Sequence, residues 1–408
     1  MFDQTYYSRL GLGNAYTRAM AGERLEPEDG EALFACPDIH AVGALAFHAR
    51  TRRHGNKTYF VRNRHINYSN VCVNRCRFCA FRREAGDDGA FTLSREDILA
   101  RALDDGGHPF AEIHVVGGCH PDLSLSWFEE LFRALKEVRP KAVLKAFTVA
   151  EIHHFAQREH CGTAEVLRRL KEAGIAMLTG GGAEIFNPEV RRRICPEKIS
   201  GDEYLRIAGE AHGLGIASNC TMLFGHIESH RDRVMHLCAL REQQDRTGGF
   251  KCFIPLAFQP KNNALALEME QTAQGMPLAD SGLDRLRTIA VARLLLDNIP
   301  HIKAYWVMLG IKTAQAALHF GADDLDGTIM EEHIGHMAGS DAAQALGRQE
   351  LEDMIRGCGF TPVNRDALFN PLPHEKTGDQ SSDARHGAAV DTWHAATDPD
   401  SGVKGART

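Results

Sequence analysis

Three cysteines lie close together in one short segment, Cys72-Val-Asn-Arg-Cys76-Arg-Phe-Cys79. The segment directly follows a predicted strand, HINYSN. Cysteine thiolates are the usual ligands of iron–sulfur clusters, which commonly have four of them. Three thiolates leave one iron free to bind a small molecule, as an open zinc site binds water. The spacing therefore predicts a cluster site at which redox chemistry acts on a bound small molecule.

A structural zinc ion is the alternative interpretation of the same spacing. A tetrahedral zinc site needs a fourth ligand, for which His65 and His120 are candidates. The chain has eleven cysteines, and those outside the loop are scattered singly. An odd number of cysteines without a secretory signal argues against a disulfide framework. Among the scattered cysteines, Cys119 is distinctive because it lies beside a pair of glycines.

Two glycine-containing motifs follow predicted strands. Gly117 and Gly118 allow the backbone to approach a ligand closely, although a plain turn is the alternative. The motif GGGAEIF combines three glycines with Glu184. A carboxylate at the mouth of a barrel suits a ligand hydroxyl or amine, whereas the alternative is that Glu184 pairs with Arg191 or Arg192.

Strands and helices alternate along most of the chain. Amphipathic segments such as Trp127–Val138 and Ala164–Ala173 predict helices. The alternation predicts βαβ units and a parallel sheet. Eight units span about 260 residues, the size of a complete (β/α)8 barrel; an open doubly wound sheet is the alternative. The predicted strands are Tyr59–Val61, His65–Tyr68 (the first core strand), Glu112–Val116, Val143–Phe147, Ile175–Leu178, Ile216–Phe224, Lys251–Phe258, Ile302–Leu309 and Ala317–Phe320.

The chain is expected to divide into four parts. Residues 1–54 are predicted to form an N-terminal helical extension, residues 55–330 the α/β barrel, and residues 331–373 a C-terminal helical segment packed on the barrel. Residues 374–408 contain one Trp and almost no other large apolar residue. Such a segment buries too little surface to offset its ordering entropy, so it is predicted to be a disordered tail.

The composition is that of a globular protein, with 43% hydrophobic and 25% charged residues and a formal net charge of −7. A mildly acidic chain has no overall field that attracts nucleic acid or an anionic membrane. Residues 1–11 lack the apolar segment of a signal peptide, and no apolar run is long enough for a membrane span. We therefore expect a cytoplasmic protein that binds neither nucleic acid nor membrane.

The cysteine loop resembles the motif of the radical S-adenosylmethionine (SAM) superfamily, Cys-x3-Cys-x-aromatic-Cys, with Phe78 as the aromatic residue. This resemblance implies a TIM-type radical SAM barrel and a [4Fe–4S] cluster on Cys72, Cys76 and Cys79. It further implies that SAM binds the open iron and is cleaved reductively to methionine and a 5′-deoxyadenosyl radical.

The resemblance also assigns residues to SAM binding. Gly117 and Gly118 match the position of the superfamily's glycine motif, whose backbone contacts the SAM amino group. Glu184 is a candidate ligand of the SAM ribose, and Phe78 is expected to contact the cofactor as part of the cysteine motif. An electron donor such as flavodoxin or ferredoxin is the implied protein partner.

Longer motifs narrow the resemblance to the menaquinone branch of radical SAM enzymes, which uses futalosine intermediates. The branch implies one of two reactions. In the first, which the motifs favour, the adenosyl radical adds to the enol-ether double bond of 3-[(1-carboxyvinyl)oxy]benzoate. In the second, a later futalosine intermediate is cyclised. The motifs are HINYSNVCVNRCRFCAF, GGGAEIF, SNCTMLFGHIE, TGGFKCFIPLAFQPKNN, IKAYWVMLG and HFGADDLDGTIMEE.

Two departures from the branch pattern bear on these expectations. Cys119 stands where Leu is expected, and Gln259 stands where His is expected. Phe-Gln-Pro at the second position resembles the cyclising enzymes, so it keeps that alternative open. A non-catalytic barrel protein stabilised by zinc is the alternative from another class.

A substrate with two carboxylates requires cationic or hydrogen-bonding partners in the barrel. The candidates from the sequence are Arg82, His120, Lys145 and His226. His120 and His226 are also the candidates for a catalytic role, although each has a structural role as its alternative.

Overall fold

The computed structural model describes residues 3–271 and 281–373. The chain begins with four helices, α1 (Gln4–Arg9), α2 (Gly13–Ala21), α3 (Pro27–Ala35) and α4 (Ile39–His54). Asp38 begins α4 because its carboxylate accepts hydrogen bonds from His40 N at 2.9 Å and Ala41 N at 3.1 Å. Gly43 lets α4 pack closely on the rest of the fold, since a Cβ there would lie 2.5 Å from the Phe320 ring.

Seven parallel strands form one curled sheet in the described part of the chain, and their order in the sheet follows their order in the sequence. In parallel sheets the carboxyl ends of the strands meet at one edge, which is where barrel active sites lie. These strands are β2 (Asn63–Asn67), β3 (Glu112–Val116), β4 (Val143–Ala146), β5 (Ile175–Leu178), β6 (Ala217–Phe224), β7 (Phe250–Ala257) and β8 (His301–Ile302).

Helices cover the outer side of this sheet. Their apolar faces supply the core, as in α6, where Phe128, Leu131, Phe132 and Leu135 are buried. The helices are α5 (Arg95–Leu103), α6 (Leu125–Val138), α7 (Val149–Arg158), α8 (Thr163–Glu172), α9 (Pro188–Ile194), α10 (Gly201–Gly213), α11 (His230–Thr247), α12 (Ala264–Gln271) and α13 (Gly282–Leu295).

A second sheet covers the gap between the first and last strands of the curled sheet. It places β1 (Lys57–Val61) between β9 (Asp324–Gly327) and β10 (Thr361–Arg365). On one side, Ala304 N donates to Asp324 O at 2.8 Å, and on the other, His65 N donates to Ile329 O at 2.7 Å. The α/β barrel class is confirmed, but the complete eight-stranded ladder is corrected to seven strands plus this covering sheet.

The last two strands predicted from the sequence, 302–309 and 317–320, do not have the predicted bounds. Residues 317–320 belong to α15 (Ile311–Ala317) and a 3₁₀ turn, Leu318–Phe320, and the strand begins only at Asp324. That strand is rich in aspartates, which are buried because they pair with basic side chains, so it lacks an apolar pattern. The strand predicted for 302–309 ends after Ile302 and continues as α14 (Trp306–Leu309).

The segment 331–373 contains α16 (Ile334–Met337) and α17 (Arg348–Gly357), as well as β10. The expectation of a purely helical segment is thus corrected, because its last residues pair with β1. The predicted disordered tail, 374–408, lies outside the described residues. Among the helices described, none combines the length and apolar character that crossing a membrane requires.

Arg365 joins the covering sheet to the barrel through buried ion pairs. Its Nε donates to the Asp324 carboxylate at 2.6 Å, and its guanidinium also lies 3.9 Å from Glu112 on β3. Both partners are fully buried. Removing one member of such a pair leaves an uncompensated buried charge.

We expect Arg365→Met to lower the free energy of unfolding by about 3–5 kcal/mol, because the buried carboxylates of Asp324 and Glu112 then lose a cation. Urea unfolding measures this change. Arg356→Ala is the matched control, since the Arg356 side chain is half-exposed and pairs only along α17, and it should cost less than about 1 kcal/mol. Equal effects of the two substitutions would contradict a structural role for the buried pair.

Candidate active site

The cysteine loop lies at the carboxyl edge of the sheet, directly after β2. Backbone hydrogen bonds fix its course: Arg77 N donates to Ile194 O at 2.8 Å, and Cys79 N donates to Cys76 O at 3.1 Å. Cys72, Cys76 and Cys79 are half-buried and line one cavity of about 290 Å³ inside the barrel mouth. All three predicted ligands therefore face the same space.

The donor set fits an iron–sulfur cluster better than a zinc ion. Because Zn–S bonds are about 2.3 Å long, the sulfurs of one zinc site lie well within 5 Å of each other. Among the described residues, the three sulfurs do not form such a tight group. His120 does not line the cavity, and the ring of His65 stacks on His114 deeper in the barrel. Neither expected fourth zinc ligand is therefore in place.

The thiol groups differ in their surroundings. Burial raises the pKa of Cys76 and of Cys79. A hydrogen bond from Cys119 lowers the pKa of Cys72 below that of an ordinary thiol. Iron binding to these thiolates must therefore displace protons from Cys76 and Cys79, as is general for metal ligation by cysteine.

The Gly117-Gly118 turn lies against the cysteine loop. A Cβ on Gly118 would lie 2.2 Å from Val71 O, so only glycine fits at this position. Tyr68 OH donates to Gly118 O at 2.7 Å. Glu151, on the first turn of α7, accepts hydrogen bonds from Tyr68 OH at 2.9 Å and from Gly117 N at 3.2 Å. The turn predicted to contact SAM is thus fixed by a tyrosine and a carboxylate that the sequence analysis missed.

Glu184 lines the cavity beside the cysteines. Its ion-pair partner is Lys198, and not Arg191 or Arg192 as the sequence suggested. Lys198 Nζ lies 2.6 Å from the Glu184 carboxylate and 5.4 Å from the centre of the Phe78 ring. Arg191 instead donates to backbone carbonyls such as Ile185 O, at 3.1 Å. Burial lowers the pKa of Lys198, yet the neighbouring Cys76 and Glu184 outweigh it and raise that pKa well above its usual value.

Lys198 was also missed from the sequence. It lies in the loop after α9, and no spacing relates it to Glu184 or to the cysteines. Its cationic group suits a site where cluster thiolates and a cofactor carboxylate accumulate negative charge.

A layer of polar side chains crosses the barrel interior below the cysteines. His65, His114 and Lys145 occupy matching register positions on β2, β3 and β4. Lys303, just after β8, lies 2.7 Å from the Asp326 carboxylate of β9. All five residues line the cavity. The end of the cavity remote from the cysteine loop is therefore charged.

The charges in this layer are mutually compensated. Lys145 forms an ion pair with Glu112, and Lys303 lies near both Asp326 and Asp324. Burial lowers the pKa of Lys145, whereas for Lys303 the two aspartates outweigh burial and raise the pKa. Burial also lowers the pKa of His65 to about 3, so this histidine is neutral at neutral pH.

Of the remaining residues predicted from the sequence, some line the cavity and others form hydrogen bonds or ion pairs outside it. Arg82 lines the cavity and donates to Cys72 O at 3.3 Å. His120 instead bonds with Thr92, 3.1 Å away, at the outer side of the glycine turn. His226 is buried with its Nδ1 3.0 Å from Glu228 and does not line the cavity. Gln259 lines the cavity but donates to Met308 O at 3.0 Å, which joins β7 to α14.

The fold and the site together define an enzyme class. A family model described as the radical SAM superfamily matches residues 66–238, and one described as the CofH/MqnC C-terminal region matches residues 247–377. The chain belongs to the radical SAM superfamily, whose [4Fe–4S] cluster and SAM are therefore its cofactors. The predicted resemblance is confirmed.

Curated relatives cover most of the chain. Aminodeoxyfutalosine synthase of Thermus thermophilus is 46% identical over 87% of this chain and 94% of that protein. A 5-amino-6-(D-ribitylamino)uracil–L-tyrosine 4-hydroxyphenyl transferase of Methanopyrus kandleri is 40% identical over 87% and 95%. Cyclic dehypoxanthine futalosine synthase of Streptomyces coelicolor is 37% identical over 87% of both chains.

Among solved structures, methylornithine synthase has a TM-score of 0.69 over 86% of this chain and 97% of that one. The sequence identity is 18%, so the likeness establishes the fold alone.

Glu151 gives the site a measurable dependence on pH. Burial raises the pKa of Glu151 from 4.5 to about 7, although hydrogen bonds from Thr148, Tyr68 and Gly117 oppose this shift. Between about pH 4.5 and 7, Glu151 is therefore protonated in the folded protein but ionised in the unfolded chain. The stability contributed by Glu151 is complete below about pH 4.5 and is lost as pH rises through about 7.

We expect Glu151→Gln to remove this contribution, because the amide does not titrate. Urea unfolding of both proteins between about pH 5 and 8 tests it. The free energy of unfolding of the original protein, relative to the variant, should fall with pH by at most about 1.4 kcal/mol per unit. Parallel curves across this range would show that Glu151 is already ionised.

Proposed function

We propose that this chain catalyses the aminodeoxyfutalosine synthase reaction of menaquinone biosynthesis. In this reaction the adenosyl group of SAM adds to the enol-ether carbon of 3-[(1-carboxyvinyl)oxy]benzoate, giving 6-amino-6-deoxyfutalosine, methionine and bicarbonate. The observation that carries the proposal is the cavity, whose lining combines three cysteine thiols, an apolar wall and the side chains of Lys145 and Lys303. The sequence match to the Thermus enzyme, which extends over nearly all of that protein, also supports it.

The bound cluster and SAM supply a 5′-deoxyadenosyl radical. This chain's residues must hold the reacting carbons in van der Waals contact and exclude water. We expect the Gly117-Gly118 turn to contact the SAM amino group and Glu184 to bind the SAM ribose. Val73 is 47% exposed on the outer side of the cysteine loop, where we expect an electron donor such as flavodoxin or ferredoxin to approach.

The aromatic ring of the substrate fits the apolar middle of the cavity. Side chains from β6, β7, α14 and the loops after β7 and β8 form this wall. An apolar and aromatic lining of this kind is typical of pockets that bind a ring. The wall consists of Leu223, Ile254, Leu256, Phe258, Tyr305 and Met308.

The two substrate carboxylates fit cationic donors among the polar side chains that line the cavity. Lys145 and Lys303 both line the cavity, and each ammonium has three donors. One donor of Lys145 is directed to Glu112 and one of Lys303 to Asp326, which leaves donors for a ligand. Of the four carboxylate-binding candidates from the sequence, we therefore retain Lys145 and add Lys303.

An anaerobic turnover assay tests the reaction itself. The reconstituted protein is supplied with SAM, dithionite and 3-[(1-carboxyvinyl)oxy]benzoate, and products are identified by mass spectrometry. We expect an adenosine-containing adduct together with methionine, and neither with Cys76→Ala, which lacks one cluster ligand. SAM cleavage without an adduct would exclude this substrate, and turnover of a dehypoxanthine futalosine instead would assign the cyclising reaction.

We expect Lys145→Met and Lys303→Met to weaken substrate binding about tenfold or more, because each removes a charge-assisted hydrogen bond. Because each substitution also leaves Glu112 or Asp326 without its closest cation, SAM binding and iron content are measured on the same samples, and substrate affinities are compared at equal iron content. Substrate dissociation constants from equilibrium binding measure the effect.

The analogue 2-phenoxyprop-2-enoate, which lacks the ring carboxylate, assigns each lysine to one carboxylate. Substitution of the lysine that binds the ring carboxylate should hardly change the affinity for this analogue. If both variants bind substrate as tightly as the original protein, the carboxylates bind elsewhere.

A further inference from the structure

Tyr305 brings a hydroxyl group as well as a ring to the lining of the cavity. The residue is only 9% exposed. Within residues 3–271 and 281–373, no side chain or backbone group forms a hydrogen bond with this hydroxyl. The buried hydroxyls of Tyr7, Tyr68 and Tyr204, in contrast, each donate to a backbone carbonyl. Because a buried tyrosine hydroxyl usually has a partner, that of Tyr305 indicates a partner in a ligand.

The backbone on either side holds Tyr305 in a fixed position. Lys303 N donates to Phe253 O at 2.9 Å, and Ala304 N donates to Asp324 O at 2.8 Å. Tyr305 itself has an extended backbone, with φ −70° and ψ 97°. Side chains alternate between the two faces of an extended chain, so Lys303 and Tyr305 project to the same side. Both line the cavity, where they form a neighbouring ammonium and phenol.

The Tyr305 hydroxyl is a hydrogen-bond donor at neutral pH. A phenol is protonated there in any case, and burial and the charges of Glu332 and Asp326 raise the pKa of Tyr305 further. Both of these carboxylates have donors of their own. Glu332 accepts from Ile334 N at 2.9 Å, and Asp326 accepts from Lys303 Nζ at 2.7 Å. The acceptor for the phenol is therefore left for a ligand to supply.

The proposed substrate matches a donor of this kind. As a dianion, 3-[(1-carboxyvinyl)oxy]benzoate has oxygen acceptors and no N–H or O–H group. Hydrogen bonds to a carboxylate are charge-assisted and therefore stronger than those between neutral groups. Lys303, which we assign to one substrate carboxylate, is two residues from Tyr305 and lines the same cavity.

We propose that Tyr305 is a substrate-binding residue whose hydroxyl donates to the carboxylate that Lys303 binds. A lysine ammonium is a compact charge with rotatable donors, so by itself it attracts a carboxylate without fixing its direction. A second donor on a rigid ring fixes the carboxylate at both oxygens and thereby orients the alkene. The inference rests on the proposed function, because it assigns a further residue to that same substrate.

Equilibrium binding of the substrate to the reconstituted holoenzyme tests this role. With SAM present and no reductant, the substrate binds without turnover. Tyr305→Phe removes only the hydroxyl group, and we expect it to weaken substrate binding about five- to tenfold. In the Lys303→Met background the same substitution should have a smaller effect, because the two donors share one carboxylate. The affinity for SAM should stay within about twofold of the original value, since the phenol binds the substrate.

Tyr7→Phe is the matched control. Its hydroxyl donates to Ala41 O at 3.0 Å in the N-terminal helices, and Tyr7 does not line the cavity. The substitution removes the same atom from a buried tyrosine, so it should leave the substrate affinity unchanged.

Urea unfolding without ligands distinguishes a hydroxyl that faces a ligand from one that stabilises the fold. Tyr305→Phe should keep or raise the midpoint of unfolding, because no partner is lost within the protein. Tyr7→Phe should lower the midpoint, because Ala41 O loses its bond with the hydroxyl. A lower midpoint for Tyr305→Phe, equal to that of Tyr7→Phe, would give the hydroxyl a structural role and overturn the proposal.

The binding results separate this inference from the proposed function. If the original protein binds the substrate and Tyr305→Phe binds it equally well, the role of Tyr305 is wrong and the proposed function stands. A loss of SAM affinity alone would assign the hydroxyl to SAM and likewise overturn the inference. If the original holoenzyme does not bind the substrate, the proposed function fails, and the role of Tyr305 fails with it.

Discussion

Buried side chains of opposite charge neutralise one another inside the barrel and join its strands. Glu112, Asp324 and Asp326 are buried together with Lys145, Lys303 and Arg365. A buried charge without a partner costs several kcal/mol, so each member requires the strand that carries its partner. Since the partners come from β3, β4, β8, β9 and β10, their pairing holds the covering sheet against the open side of the curled sheet.

The same layer gives the cavity its polarity. Because Lys145, Lys303 and Asp326 line the cavity, they supply paired charges beside its apolar wall and its thiols.

At the mouth, the cysteine loop and the glycine turn form one unit. Tyr68 and Glu151 hold the turn from the barrel side, while Cys119 bonds with the loop from the turn side. A displacement of either segment is therefore transmitted to the other.

The amino-acid sequence alone was enough to identify the metal chemistry, the superfamily and most of the barrel. The cysteine spacing, the glycine pair and the apolar strands from β2 to β7 are local patterns, and local patterns can be identified from the chain alone. The sequence also indicated that Lys145 belongs to a strand, although not which partners surround it.

The folded structure was needed to identify the final strand, the partner of Glu184, and the contacts of Glu151, Lys198, Cys119 and Lys303. The strand Asp324–Gly327 carries aspartates whose burial is favourable only because lysine and arginine from other strands neutralise them. Lys198 approaches Glu184 because two loops meet at the barrel mouth. His120 and His226 suit catalysis by residue type, but their hydrogen bonds place both in the scaffold. Long-range pairing of this kind has no periodicity in the chain, because it depends on which strands become neighbours.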